Sequence, residues 1–338
     1  MMVSEVEISP DERAFRALAR AEDRVSRLDE CVSHCGFAAG WRSRADIRAV
    51  VAQMWIEGEL VHPEDLVLHA LGTDARIPER NVVRASALLR AREKAWSGGE
   101  ELLSWRGFAW LIGRVSSPPP PGRRPSSTVG DDKTGPRALA GIAAALDQLA
   151  KGQNDEPRAG VEECLGLVDL ADQPPGLLTA AMFLEAWRIV DPMPSYRGLG
   201  SVFAGQVLRI GQRFSTGLFP FEVALRRRPM PPRLAWAPVL DRLAFWFETF
   251  DLAASLELEE LHRLALQKVQ LERRASGGRR HGNAGALAAL AVDHPVLTTE
   301  IISRALDVTP QASGQLIKRF DGVLREITGR SRYRVWAL

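Results

Sequence analysis

The last stretch of the chain, His294–Leu338, reads HPVLTTEIISRALDVTPQASGQLIKRFDGVLREITGRSRYRVWAL. Thr298 can cap a helix over Thr299–Leu306, with Glu300 in the first turn where a negative charge meets the positive end of the helix dipole. Asp307-Val308 then allows a tight turn. Thr309 caps a second helix with Pro310 at its first position, where a missing N–H costs nothing. Ser313, Leu316, Ile317 and Phe320 fall on one face of that helix. Pro310, Gln311, Ala312, Gly314, Gln315, Lys318 and Arg319 fall on the other. Two short helices at this spacing predict a helix-turn-helix whose second member enters the major groove.

Downstream, Val323–Ile327 predicts a short strand and Thr328–Ser331 a polar turn. Arg332–Trp336 alternates basic with apolar, as a strand with one wet face does. This hairpin is the expected wing. Its Arg330, Arg332 and Arg334, with Lys318 and Arg319, are the expected phosphate contacts. Gln311, Ala312 and Gln315 are placed to meet base edges, since Gln can pair with adenine and Ala can pack on a thymine methyl. Thr309 joins the expected DNA-contacting set at the start of the helix. Leu306, Val308, Leu316, Ile317, Phe320, Val335 and Trp336 are the expected core of this small unit.

PVLTTEIISRALDVTPQASGQLIKRF followed by LREITGRSRYRVWAL resembles the C-terminal winged helix of a bacterial, often plasmid-borne family. That family joins a domain of unknown function to a DNA-binding helix-turn-helix. WIEGELVHPEDLVLHALGTDARIPERNVVRASALLRAR, Trp55 to Arg92, also resembles it. The resemblance covers about a quarter of the chain and implies architecture and DNA binding. Ala52–Glu59, AQMWIEGE, further resembles the N-terminal stretch of Fic-type nucleotidyl transferases, many of which end in a similar winged helix. Their activity requires a His-Pro-Phe motif with a downstream Gly-Asn-Gly-Arg. Here His294-Pro295 precedes Val296, and Gly282-Asn283 lies ahead of it. The resemblance therefore implies at most a degenerate relative without the catalytic base and phosphate loop.

Charge is unevenly spread over the 338 residues. Residues 273–338 hold 11 Lys/Arg and 5 Asp/Glu, out of 44 and 42 in the chain, so a module of net charge +6 follows a body of −4. A basic module on an acidic body fits a nucleic-acid partner. Three cysteines fit reduced thiols and a cytoplasmic setting. MMVSEVEISPDERAF has no apolar run, and no run of about 18 apolar residues occurs anywhere, so neither a signal peptide nor a membrane span is expected.

The expected fold class is mainly α, a multi-helix body with a C-terminal winged helix-turn-helix and a small β wing. Expected boundaries are an N-terminal helical domain at 1–115, a Pro/Gly/Ser-rich linker at 116–137, a second helical region at 138–272, a basic hinge at 273–283, and the DNA-binding unit at 284–338. The first helix should run from Ser9-Pro10 to about Cys35, burying Phe15, Leu18, Ala21 (or Ala19), Val25, Leu28 and Val32. Ser43 is expected to cap a second helix that ends at Gly58. Pro63 should open a third, closed by Gly72, and Pro78 a fourth, ended by Gly98-Gly99. Leu102–Val115 is expected to be helical, with Trp105 and Trp110 buried. Helices are also expected at 161–172, 177–190, 202–214 and 239–273.

Other chemistry is weakly signalled. Cys31, His34 and Cys35 form CVSHCG, but structural zinc needs four ligands and the third cysteine, Cys164, is remote; core thiols are the simpler account. His62 and His69 are two helical turns apart without the Cys or carboxylate constellation a metal would need, and Arg226-Arg227-Arg228 more often marks a solvated helix end than a phosphate site. No GxxxxGK[ST] or GxSxG occurs, so no catalytic residue, metal or cofactor is expected. The expected function is transcriptional regulation by a homodimer on double-stranded DNA. The alternative is a degenerate Fic-like protein or enzyme whose winged helix makes protein contacts.

Overall fold

Alanines decide how the body packs. The first helix, α1 (Pro10–His34), faces inward with Ala14, Ala17, Ala21, Val25, Leu28 and Val32, a spacing of three and four. Phe15, expected inside, is 55% exposed. Small side chains on this face let α1 lie close along the longest helix of the protein, Val239–Ser276. Arg24 of α1 joins Asp251 of that helix at 2.9 Å.

The computed structural model describes residues 10–72, 77–121, 146, 149, 156–170, 176–276, 283–329 and 334–338. After α1 come α2 (Ala38–Ile56), α3 (Pro63–Ala70), α4 (Arg80–Ser97) and α5 (Trp105–Leu111). They are followed by α6 (Pro157–Leu170), α7 (Leu177–Val190), α8 (Leu199–Ile210), α9 (Phe221–Arg227) and the long α10 (Val239–Ser276). The C-terminal unit contains α11 (Ala284–Asp293), β1 (Leu297–Thr298), α12 (Thr299–Leu306), α13 (Pro310–Lys318), β2 (Arg325–Glu326) and β3 (Val335–Ala337). The protein is thus mainly α, with a helical body and a terminal winged helix-turn-helix. Among the described residues, no helix is long and apolar enough to cross a membrane.

Several helix ends follow the sequence rules. Gly58 and Gly72 sit at φ +80° and +65° just past α2 and α3, where a side chain would be strained. Ser104 caps α5 by accepting from the Gly107 N–H at 3.1 Å. Ser43 does not cap: α2 begins five residues before it, and its hydroxyl donates back to the Ala39 carbonyl at 3.1 Å. The segment expected as one helix at 102–115 is a 3-10 turn at 100–102 and then α5, with Phe108 and Leu111 buried and Trp105 and Trp110 only half-buried. The short α9 had no counterpart among the expected elements. Most of the proline-rich linker and the glycine-rich part of the hinge lie outside the described residues.

Aromatic side chains fill the body. Phe108, Phe183, Trp187 and Phe203 form one cluster with centroids about 6 Å apart, and Phe214, Phe219, Phe221 and Phe250 form another. Between α2, α4 and α9 lies a buried polar knot. Arg92, wholly buried, donates from Nε to Asp46 Oδ1 at 2.7 Å, from Nη1 to Glu222 Oε1 at 3.3 Å, and from Nη2 to the Leu218 carbonyl at 2.9 Å. Burial works against the Arg92 charge, but Asp46 and Glu222 outweigh it and hold the guanidinium above its usual range. Burial pushes the Glu222 carboxyl up, against the pull of Arg92.

Candidate nucleic-acid interface

The helix-turn-helix is built by two threonine caps and one serine contact. Thr298 Oγ1 accepts from the Ile301 N–H at 3.1 Å and starts α12. Glu300 and Arg304 pair at 2.8 Å along its outer side. Asp307, at φ +50°, turns the chain out of α12, and its N–H donates to the Ser303 carbonyl. Thr309 Oγ1 then accepts from the Ala312 N–H at 3.2 Å, with Pro310 as the first residue of α13. Ser313 is fully buried where the helices cross. Its hydroxyl donates to the Thr309 carbonyl at 3.1 Å and lies 2.9 Å from Ser303 Oγ. That contact fixes the angle between the two helices through polar groups that would otherwise be buried without partners.

Of the expected core, Ile317, Phe320 and Val335 are buried, while Leu306, Val308, Leu316 and Trp336 are half-buried. On the opposite face of α13, Gln311, Gln315 and Lys318 are exposed, Arg319 follows them exposed at the helix end, and Ala312 is half-buried. Thr309 is exposed too, although its oxygen is engaged in the cap. Five of these six side chains are thus exposed on or beside α13, and Ala312 is half-buried among them.

The wing is a three-stranded sheet in the order β1-β3-β2, all antiparallel. Leu297 lies opposite Trp336, and Arg325 opposite Ala337. The strands are shorter than the expected 323–327 and 332–336, and β1 adds an edge that had not been expected. At the base of the wing, the Ile327 N–H donates to the Val335 carbonyl at 2.9 Å, and Thr328 Oγ1 to Glu326 Oε1 at 2.8 Å. Arg334 is exposed, with Nε 3.8 Å from Glu326 Oε2. Arg330 and Arg332 lie outside the described residues.

The rear of the unit is held by the body, a feature with no local signal in the sequence. Gly40 of α2 meets the end of α11 so closely that a Cβ there would stand 2.0 Å from the Val292 carbonyl oxygen. One turn on, the Arg44 guanidinium donates to the carbonyls of Ala291 (2.9 Å), Val292 (2.6 Å) and His294 (2.6 Å), covering the negative end of α11. Burial, then the neighbouring Arg48 and Arg263 charges, pull Arg44 down to about 10, so it stays cationic at neutral pH. Arg274, near the end of α10, donates to the Asp321 carbonyl just past α13. Val67 and Leu68 of α3 pack against Val296 and Val335. The sheet and the inner sides of the helices thus lean on the body, and the outer face of α13 does not.

Burial or pairing within the chain engages several of the other candidate residues. Burial pushes the Cys164 thiol up to about 12 and raises Cys35 as well, so neither is poised as a thiolate. Arg228 pairs with Glu248, and Arg226 lies over the Trp55 ring at 5.8 Å.

Comparison with known proteins agrees with this arrangement. Residues 285–338 match the family described as HTH DNA binding domain, and residues 156–276 match a protein of unknown function (DUF1612). The uncharacterized protein y4cF of Sinorhizobium fredii (strain NBRC 101917 / NGR234) is 26% identical over 358 residues, covering 93% of each chain. The crystal structure of a Fic family protein from Desulfovibrio desulfuricans G20 superimposes with a TM-score of 0.51 over 100% of this chain and 97% of that one, at 14% identity. That likeness is one of fold. The chain therefore joins a DUF1612 region to a C-terminal helix-turn-helix DNA-binding domain.

Proposed function

We propose that this chain is a transcriptional regulator that reads duplex DNA with α13, the DUF1612-bearing body serving as the platform behind it. One observation carries the reading. The face of α13 bearing Gln311, Gln315, Lys318 and Arg319 is exposed, whereas the end of α11, the inner side of the sheet and the chain just past α13 are held by the body. In this reading Gln311, Ala312 and Gln315 meet base edges in the major groove. Thr309, Lys318, Arg319, Arg330, Arg332 and Arg334 hold the flanking phosphates. One recognition helix reads few base pairs, so the protein acts as a homodimer on paired half-sites about one helical turn apart.

Genomic footprinting of the intact protein tests this. The expected result is a small set of sharp sites, each containing two half-sites. An even, sequence-independent signal would contradict the regulatory role, and unpaired half-sites would contradict the dimer. A second reading draws on the Fic-like fold: a scaffold without the catalytic motif, whose winged helix makes protein contacts. It predicts no footprint at all.

A further inference from the structure

A cleft far from α13 in the sequence has the makings of a ligand site. It lies between α4 and the turn at 194–199, encloses about 560 Å³, and falls within the usual size range of small-molecule sites. Arg80, Arg84, Arg90 and Lys94 of α4 line it, with Glu57 as the acidic lining residue. Arg80, Arg84 and Lys94 repeat on one face of the helix with Ala87 and Ala91 between them, and Arg90 flanks that face.

Only part of the charge is neutralised within the chain. Arg84 pairs with Glu57 at 2.5 Å and with Glu59. Among the described residues no carboxylate lies within 4 Å of the side-chain nitrogens of Arg80, Arg90 or Lys94. Arg90 and Lys94, one turn apart, repel as like charges, and cations left without a carboxylate in a concave site concentrate counter-ions. Arg80 and Lys94 stand about 21 Å apart along α4, so the arrangement favours an extended anion along this face rather than a compact one.

Two of the cations also have neutral partners within the chain. Lys94 Nζ donates to the Trp110 carbonyl at 3.2 Å and lies 5.2 Å from that residue's ring centroid. Arg90 Nη1 donates to Ser86 Oγ at 2.7 Å. The opposite wall carries Ser195 and Tyr196, two hydroxyl donors. It is held by Trp187 Nε1 donating to the Arg197 carbonyl at 3.1 Å and by the Arg197–Asp191 ion pair. Gly198 brings this wall against α2 and α4. A Cβ there would stand 2.8 Å from Gln53 Cγ and 2.9 Å from Leu88 Cδ2.

We propose that this cleft binds a small phosphorylated molecule. Its phosphates would run along α4 from Lys94 and Arg90 towards Arg80, and its less polar part would rest on Met54, Leu88 and Leu111. Each phosphate carries more than one negative charge near neutral pH and three acceptor oxygens, which suits several cationic donors on one wall. A single carboxylate would satisfy fewer of them. The proposal does not depend on DNA recognition by α13.

Isothermal titration of the full-length protein with inorganic phosphate, pyrophosphate, triphosphate and citrate tests it. Triphosphate and pyrophosphate should bind, more tightly than phosphate or citrate and more weakly as salt rises. Arg80→Gln/Lys94→Gln should weaken triphosphate at least tenfold while the thermal midpoint and duplex binding stay near those of the parent. Arg227→Gln, an exposed cation elsewhere, should change nothing. Absence of triphosphate binding would overturn the proposal, as would equal binding by the double variant. Loss of duplex binding in the double variant, without loss of triphosphate, would mark the cleft as a nucleic-acid surface and overturn it too.

Discussion

Replacing Arg92 by Met is expected to cost about 3–5 kcal/mol of folding stability, because it strands two carboxylates in the interior. Asp46 and Glu222 both face the guanidinium, at 2.7 and 3.3 Å, and both side chains are more than nine-tenths buried. Without the cation each must be buried charged or take up a proton. The loss should therefore be larger at pH 8 than at pH 5, since protonation at the lower pH removes the unpaired charge. Glu222 has its own sign in the parent. Its folded pKa is raised, so its contribution to stability is full below the ordinary glutamate range and is lost as pH rises through the raised value. Glu222→Gln should accordingly be neutral or stabilising at pH 7, because Arg92 keeps a balanced partner in Asp46. Urea unfolding at both pH values measures these differences. A loss for Arg92→Met that is small and independent of pH would contradict the buried-charge account.

Phe320→Ala is the second large effect, expected at about 3–5 kcal/mol. Phe320 is fully buried beyond the end of α13, and its backbone N–H donates to the Ile317 carbonyl at 2.8 Å. Its ring shares a core with Ile302, Ile317 and Leu324 and with residues of α10 and α11. Truncation leaves a cavity behind the recognition helix, at the place where Arg274 ties the chain to the body. Hydrogen exchange should show faster opening of α12 and α13 than of α7 and α8, and duplex affinity should fall with it. Equal opening throughout would mean that the terminal unit does not loosen before the body.

The helix-turn-helix was legible because its determinants are local. Thr298, Asp307 and Thr309-Pro310 cap and turn the chain through neighbours a few residues away, and each does in the structure what its residue type suggests. Gly58 and Gly72 ended their helices for the same reason. Errors came where a distant element decides. Phe15 is larger and more apolar than Ala14 or Ala17, but a close neighbour selects for small side chains. Ser43 suits a cap, yet α2 starts earlier. The stretch AGALAALAVD of α11 offers no polar face to set a period, and β1 is two residues long and owes its existence to pairing with β3. Asp46, Arg92 and Glu222 come from three separate parts of the chain, so no spacing rule joins them. The cationic stripe of α4 could be read from its spacing, but the wall opposite it, more than a hundred residues away, could not.

The central claim is that α13 reads bases while the charges around it hold phosphates. A salt titration of the intact protein on a selected duplex and on a random one tests it most directly. Lys318→Ala should weaken both duplexes about equally and lower the salt slope by roughly one. Gln315→Ala should cost about 1–3 kcal/mol on the selected duplex and almost nothing on the random one. Equal losses on both duplexes for Gln315→Ala, or an unchanged salt slope for Lys318→Ala, would contradict the account.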